Sequence, residues 1–148
     1  MKIYLDTCCF NRPFDDQTQV RIRIESEAVL LILDRTERGE LELVGSDALI
    51  YEIRRIPDPI RRRRVEMMYG EVKQNISIED VIAKRADVIQ RTGIWGLDAV
   101  HVACAEHAGA DAMLTTDDRL IKICTGMTKQ IGVPVLNPLQ FLMQEALS

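Results

Sequence analysis

The 148-residue chain is 47% hydrophobic and 28% charged, the balance of a globular protein that buries a core rather than of a disordered or fibrous one. Its net charge of −4 gives no overall basic field for nucleic acid, although net charge averages over a surface and leaves room for local patches. No stretch approaches the roughly 20 apolar residues of a membrane span, no basic, apolar, small-residue leader pattern opens the chain, and the four cysteines lack paired spacing, so a single cytoplasmic domain over residues 1–148 with reduced thiols is expected.

Short β-like runs alternate with helical periodicity, which predicts a three-layer α/β/α fold with a central, mainly parallel sheet. A strand is expected over Lys2–Leu5, then a helix over residues 22–38 that buries Ile24, Ala28, Leu31 and Ile32 and stops before Gly39. A strand at 43–45 leads into a helix over 47–56, stopped by Pro57. Pro57 and Pro59 suggest an exposed hinge before the consecutive residues Arg61, Arg62, Arg63 and Arg64. At about 100° per residue, four arginines point nearly all round a helix and cannot form one solvated face. They either contact the phosphates of a nucleic acid or serve structure or an oligomer interface. Helices follow over 78–92 and 97–107, separated by the turn from Gly93 to Gly96. A strand at 112–115, a second at 133–136 and a last helix over 138–147 complete the chain.

Acids recur where this order places strand ends. In open parallel sheets ligands bind outside the carboxyl ends of the strands. Asp6 lies one residue past the first strand, and Asp117 and Asp118 lie just past the third, within MLTTDDRL. Glu52 sits within about two turns of the second strand's end, and Asp98 opens the helix after Gly96. Alone, Asp6 is as well explained as a helix cap. Four carboxylates gathered from distant segments repel one another, and a hard, oxygen-seeking Mg2+ or Mn2+ removes that penalty.

Four segments carry a family resemblance: IYLDT from Ile3, SDALIYE from Ser46, LDAVHVACAEHAGAD from Leu97 and MLTTDDRL from Met113. Together they resemble the PIN-domain family of metal-dependent ribonucleases, which includes the toxins of VapC-type toxin–antitoxin pairs. The resemblance implies that Asp6, Glu52 and Asp98 are the three core metal-binding acids and that MLTTDDRL supplies a fourth. Both Asp117 and Asp118 satisfy the family's T-x-D pattern. The family register assigns Asp117, spaced from Leu114 and Leu120 as the strand and following helix require, with Thr115 as its supporting hydroxyl and Asp118 as a favourable charge in the next helix. The implied activity is Mg2+- or Mn2+-dependent hydrolysis of RNA phosphodiesters, leaving a 5′-phosphate and a 3′-hydroxyl. A cognate antitoxin and a homodimer are the implied protein partners, and no membrane is involved.

The net charge of −4 equals the charge of the four site carboxylates, so with these set aside as neutralised by metal the remainder of the chain sums to zero and is compatible with RNA. The sequence DTCCFNRPFDD departs from the family at Cys8 and Cys9, where small or hydroxyl residues are more usual; Asn11 either reaches the site or makes an ordinary turn. Trp95 offers a surface for base stacking, but core or dimer packing is the more ordinary use. His101, Cys104 and His107 are spaced i, i+3, i+6, which drifts round a helix and disfavours zinc; Cys104 is expected in the core and His101 near the acids. Among rival functions, a receiver-like domain needs a paired acid at the first strand, and a haloacid dehalogenase-like phosphatase needs D-x-D there. Asp6-Thr7-Cys8 offers neither. A PIN fold that only binds RNA or protein is the other alternative, and the full acid set argues against it.

Overall fold

A computed structural model describes residues 1–148. In chain order it runs β1 (Lys2–Leu5), α1 (Thr7–Asn11), α2 (Val20–Glu37), β2 (Glu42–Ser46), α3 (Asp47–Arg54), α4 (Pro59–Tyr69), β3 (Val72–Ile76), α5 (Asp80–Gln90), α6 (Leu97–His107), β4 (Ala112–Leu114), α7 (Asp118–Thr125), β5 (Val135–Leu136) and α8 (Pro138–Ala146). The strands form one five-stranded sheet in the order β3-β2-β1-β4-β5, with every neighbouring pair parallel. The expected α/β fold with a central parallel sheet is therefore what the chain adopts.

The strand order reverses beside β1. From β1 the chain steps outward to β2 and β3, then returns to build β4 and β5 on the other side. Such a switch point opens a crevice at the carboxyl ends of the two strands that flank it. The main-chain ladder carries that junction one step further, because the Asp6 amide donates to Leu114 O at 2.9 Å. The ends of β1 and β4 are thus held side by side, with Asp6 at the end of one and Thr115 at the end of the other.

Central strands are almost wholly apolar and buried: Ile3, Tyr4, Leu5, Leu43, Val44, Met113 and Leu114 are at most 1% exposed. This is the pattern of a sheet covered by helices on both faces. α2 packs against α8, and α5 packs against α6. No helix is long and apolar enough to cross a membrane.

Three expectations are corrected. β3 has the sequence VKQNI with only Ile76 buried, so this edge strand lacks the apolar pattern that marks a strand in sequence. Its lysine and amides face solvent, where an edge strand benefits from polarity. The buried stripe of α2 is rotated from the expected one: Ile24 and Leu31 are exposed, while Glu25, Ala28, Val29, Ile32 and Leu33 are buried. Ion pairs draw Glu25 inward, because Arg12 and Arg21 meet its carboxylate at 2.9 and 3.2 Å, and the Asn137 amide donates to it at 2.5 Å. Finally, Pro59 is not part of a hinge but the first residue of α4, where a missing amide is harmless. Asp58 caps that helix, accepting from Ile60 N at 2.9 Å.

Candidate metal centre

Each acid of the crevice is delivered by a different element. Asp6 follows β1 and caps α1, its Oδ1 accepting from Thr7 N at 2.8 Å. Its other oxygen accepts from the Thr115 hydroxyl at 2.9 Å and faces the Cys8 thiol at 3.6 Å. Glu52 projects from α3, which begins where β2 ends because Ser46 caps it. Glu52 Oε1 accepts from the Thr7 hydroxyl at 2.8 Å and meets His101 Nε2 in a short contact. Asp98 lies in the first turn of α6, whose start at Gly96 has a φ of 59° that disfavours side chains with a Cβ. His101 is one turn further on the same face.

Asp117 and Asp118 have different surroundings. Asp117 precedes α7, and its Oδ1 accepts from the amides of Arg119 and Leu120 at 3.0 and 3.2 Å. It shares a small cleft with Asp98 and Trp95. Asp118 turns away and is held by both guanidinium nitrogens of Arg21 at 2.6 Å. Thr115 bridges the two strand ends: its hydroxyl donates to Asp6 and accepts from the Asp117 amide at 3.2 Å. Its support therefore goes to the Asp6 carboxylate and the Asp117 backbone rather than to the Asp117 carboxylate.

His101 stands among the acids. It is 1% exposed, touches Glu52 and lies 3.9 Å from Asp6 Oδ1 through the same nitrogen. One ligand atom each from Asp6, Glu52 and His101 falls within 4.8 Å of the others. The opposite ring nitrogen, Nδ1, is 2.7 Å from the Tyr4 hydroxyl, which is itself 2.7 Å from Ser46 Oγ. Tyr4 and Ser46 are fully buried, so they fix the ring from the core side. Neither Tyr4, Ser46 nor Thr7 was legible as a site residue. The only signal is that a tyrosine in an otherwise apolar central strand needs a buried partner for its hydroxyl.

The electrostatics follow from this crowding. Burial, together with the charges of Asp6, Asp117 and Glu52, pushes the Asp98 pKa up to about 6. Burial pushes the Glu52 carboxyl up as well, but the hydrogen bond and charge of His101 outweigh it and leave its pKa below the ordinary value. For His101 the balance is the mirror image. Burial lowers its pKa, while Glu52, Asp6 and Asp98 raise it to a net value above normal. No lysine or arginine pairs with Asp6, Glu52, Asp98 or Asp117; His101 is their sole cationic neighbour in ion-pair range.

Other candidates fall outside this cluster. Asn11 donates to Thr7 O at 3.1 Å and lines a groove of about 510 Å³ beside Glu52, together with Arg55 and Arg61. Arg61 and Arg62 lie along protein, contacting Asp15 at 2.9 Å and Ile56 O at 2.9 Å, whereas Arg63 and Arg64 are exposed. Trp95 is 68% exposed, which rules out core packing as the use of this residue and leaves dimer packing or base stacking. Cys104 is buried and His107 exposed, so the spaced triplet His101, Cys104, His107 converges on no common point.

A doubly wound parallel sheet with a carboxylate cluster beside its switch point defines the class: an α/β domain that gathers acids at the ends of β1 and β4. The chain belongs to the PIN-domain family, whose model matches residues 3–125. A solved chain of VapBC2 from Rickettsia felis, determined bound to a DNA fragment from the promoter, shares the fold with a TM-score of 0.60 at 10% identity, over 93% of this chain and 98% of that one. No curated protein matches the chain at a significant level.

Proposed function

We propose that the protein is a divalent-cation-dependent endoribonuclease, organised as one domain over residues 1–148, with Asp6, Glu52, Asp98 and Asp117 as its metal-binding acids. The observation that carries this reading is the convergence of four carboxylates from four elements without a lysine or arginine to neutralise them. Oxygen donors with mutual repulsion fit a hard cation such as Mg2+ or Mn2+, whose charge offsets that repulsion. When bound, such an ion polarises a phosphodiester and lowers the pKa of attacking water.

The chain's own residues supply orientation. Thr7 and His101 hold one oxygen of Glu52, Thr115 holds one oxygen of Asp6, and the helix-start amides of Arg119 and Leu120 hold one oxygen of Asp117. These three carboxylates are held in position before any ligand arrives, which reduces the reorganisation needed for chemistry. Exposed Arg63 and Arg64 are available to RNA phosphates, and Trp95, beside Asp98 and Asp117, is placed to stack on a base. A cytoplasmic location, a homodimer and a cognate antitoxin are part of the same proposal, the last in keeping with the shared fold of the VapBC2 chain.

The test is cleavage of a mixed RNA pool with Mn2+ or Mg2+ and with a chelator, comparing wild type with Asp98→Asn and mapping product ends. Ion-dependent cleavage that leaves 5′-phosphates and falls at least about 100-fold in the variant is expected. Equal cleavage by both proteins, or cleavage in chelator, contradicts the mechanism.

A further inference from the structure

Acids alone would make an all-oxygen site, but this crevice contains a nitrogen aimed into it. His101 Nε2 faces two carboxylates from separate elements, in contact with Glu52 and 3.9 Å from Asp6 Oδ1. Ligand atoms about 2.1 Å from one ion lie at most about 4.2 Å from each other, which is the scale of that separation. The nitrogen arrives on the same helix face as Asp98, three residues earlier on α6.

The other side of the ring resembles a ligand's support rather than a surface histidine's. A metal-binding imidazole is usually oriented by a hydrogen bond to its remote nitrogen. Here Nδ1 meets Tyr4 Oη at 2.7 Å, and Tyr4 Oη meets Ser46 Oγ at 2.7 Å, with all three groups buried. A cation entering the crevice displaces the Nε2 proton to solvent, which leaves the remaining ring proton on Nδ1, donated to Tyr4, and the Nε2 lone pair for the ion. Ser46 is in turn fixed at the start of α3, where its hydroxyl accepts from Leu49 N, so the helix that carries Glu52 and the ring that touches it share one anchor.

We propose that His101 Nε2 is a direct ligand of the divalent cation, together with Asp6 and Glu52, and that this imidazole biases the site toward transition ions such as Mn2+ over Mg2+. Imidazole suits transition metals, whereas Mg2+ prefers oxygen alone. The inference rests on the reading that the acids bind a divalent cation, and it concerns the identity of the ligands rather than the reaction.

Electron spin-echo spectroscopy of the Mn2+-loaded protein separates the two. The chain has only two histidines, and His107 is exposed, so 15N-histidine labelling identifies the ring without any mutation. The expected result is a coupling to directly bound imidazole nitrogen that changes with the isotope label. It disappears in His101→Gln, which binds Mn2+ about 10- to 100-fold more weakly and shows a smaller preference for Mn2+ over Mg2+. Calorimetric titration with each ion gives those affinities. Bound Mn2+ with no label-sensitive nitrogen coupling in wild type overturns the ligand assignment while leaving the acid site standing. Absence of any Mn2+ binding overturns both. Because the labelled wild type decides the matter, a poorly folded His101→Gln does not rescue the proposal.

Discussion

The two buried carboxylates of this molecule, Glu25 and Asp6, sit in surroundings built in opposite ways. On α2, Glu25 is 3% exposed and is met by Arg12, Arg21 and Asn137, so its charge is neutralised by the chain itself. At the ends of β1 and β4, several carboxylates share one crevice with no arginine or lysine in ion-pair range and a single histidine among them. A compensated buried acid is part of the architecture. An uncompensated group is unfavourable until something positive enters, and its energetic cost is retained because the fold holds the acids in place through hydroxyls and helix-start amides.

The contrast is breakable. Glu25→Gln removes the buried anion that Arg12 and the more exposed Arg21 share, and because each arginine keeps a second acid, Asp15 and Asp118 respectively, the expected cost is about 1–3 kcal/mol. Chemical denaturation is expected to show that loss, while Mn2+ affinity stays at the wild-type value. A loss of Mn2+ affinity comparable with that of a site variant would merge the two regions into one.

A smaller difference separates the neighbouring acids of MLTTDDRL. Asp117 caps α7 beside Asp98, whereas Asp118 is tied to Arg21 on the surface. Asp117→Asn is expected to reduce RNA cleavage by about 100-fold. Asp118→Asn removes an exposed pair of the kind worth about 0–1 kcal/mol and should leave cleavage within about twofold. Rates measured side by side under saturating Mn2+ check this, and the reverse ranking would move the site by one residue.

Much of this architecture was legible because the signals were local. An apolar run ending in an acid marked both β1 with Asp6 and β4 with Asp117, and the glycine before Leu97 marked the start of α6 and placed Asp98. What was hidden depends on long-range pairing. β3 is polar because its position at the sheet edge allows it to be, and no periodicity in VKQNI reveals the partner strand. The stripe of α2 was misplaced because hydrophobicity ranks Ile24 above Glu25, while arginines distant in sequence reverse that order. His101 was expected near the acids, but its support by Tyr4 and Ser46 joins residues 97 and 42 positions apart and has no local signature.

The central claim is that the acid crevice is destabilised by its own charge and relieved by a divalent cation. Asp98 sharpens it, since its pKa is raised to about 6 from an ordinary 3.8. The folded state therefore holds this proton more tightly than the unfolded chain. The stabilisation from protonated Asp98 is present below the ordinary value and is lost as pH rises through about 6, which is also the range in which metal and proton compete. Thermal unfolding of wild type and Asp98→Asn at pH 5.5 and 7.5, with and without Mn2+, measures all of this at once. Without metal at pH 7.5, Asp98→Asn should be at least as stable as wild type. With Mn2+ at about 100 times its Kd, wild type should gain about 2.7 kcal/mol at pH 7.5, with a smaller gain at pH 5.5 and little in the variant. Equal Mn2+ stabilisation of both proteins, or none of wild type, contradicts the account.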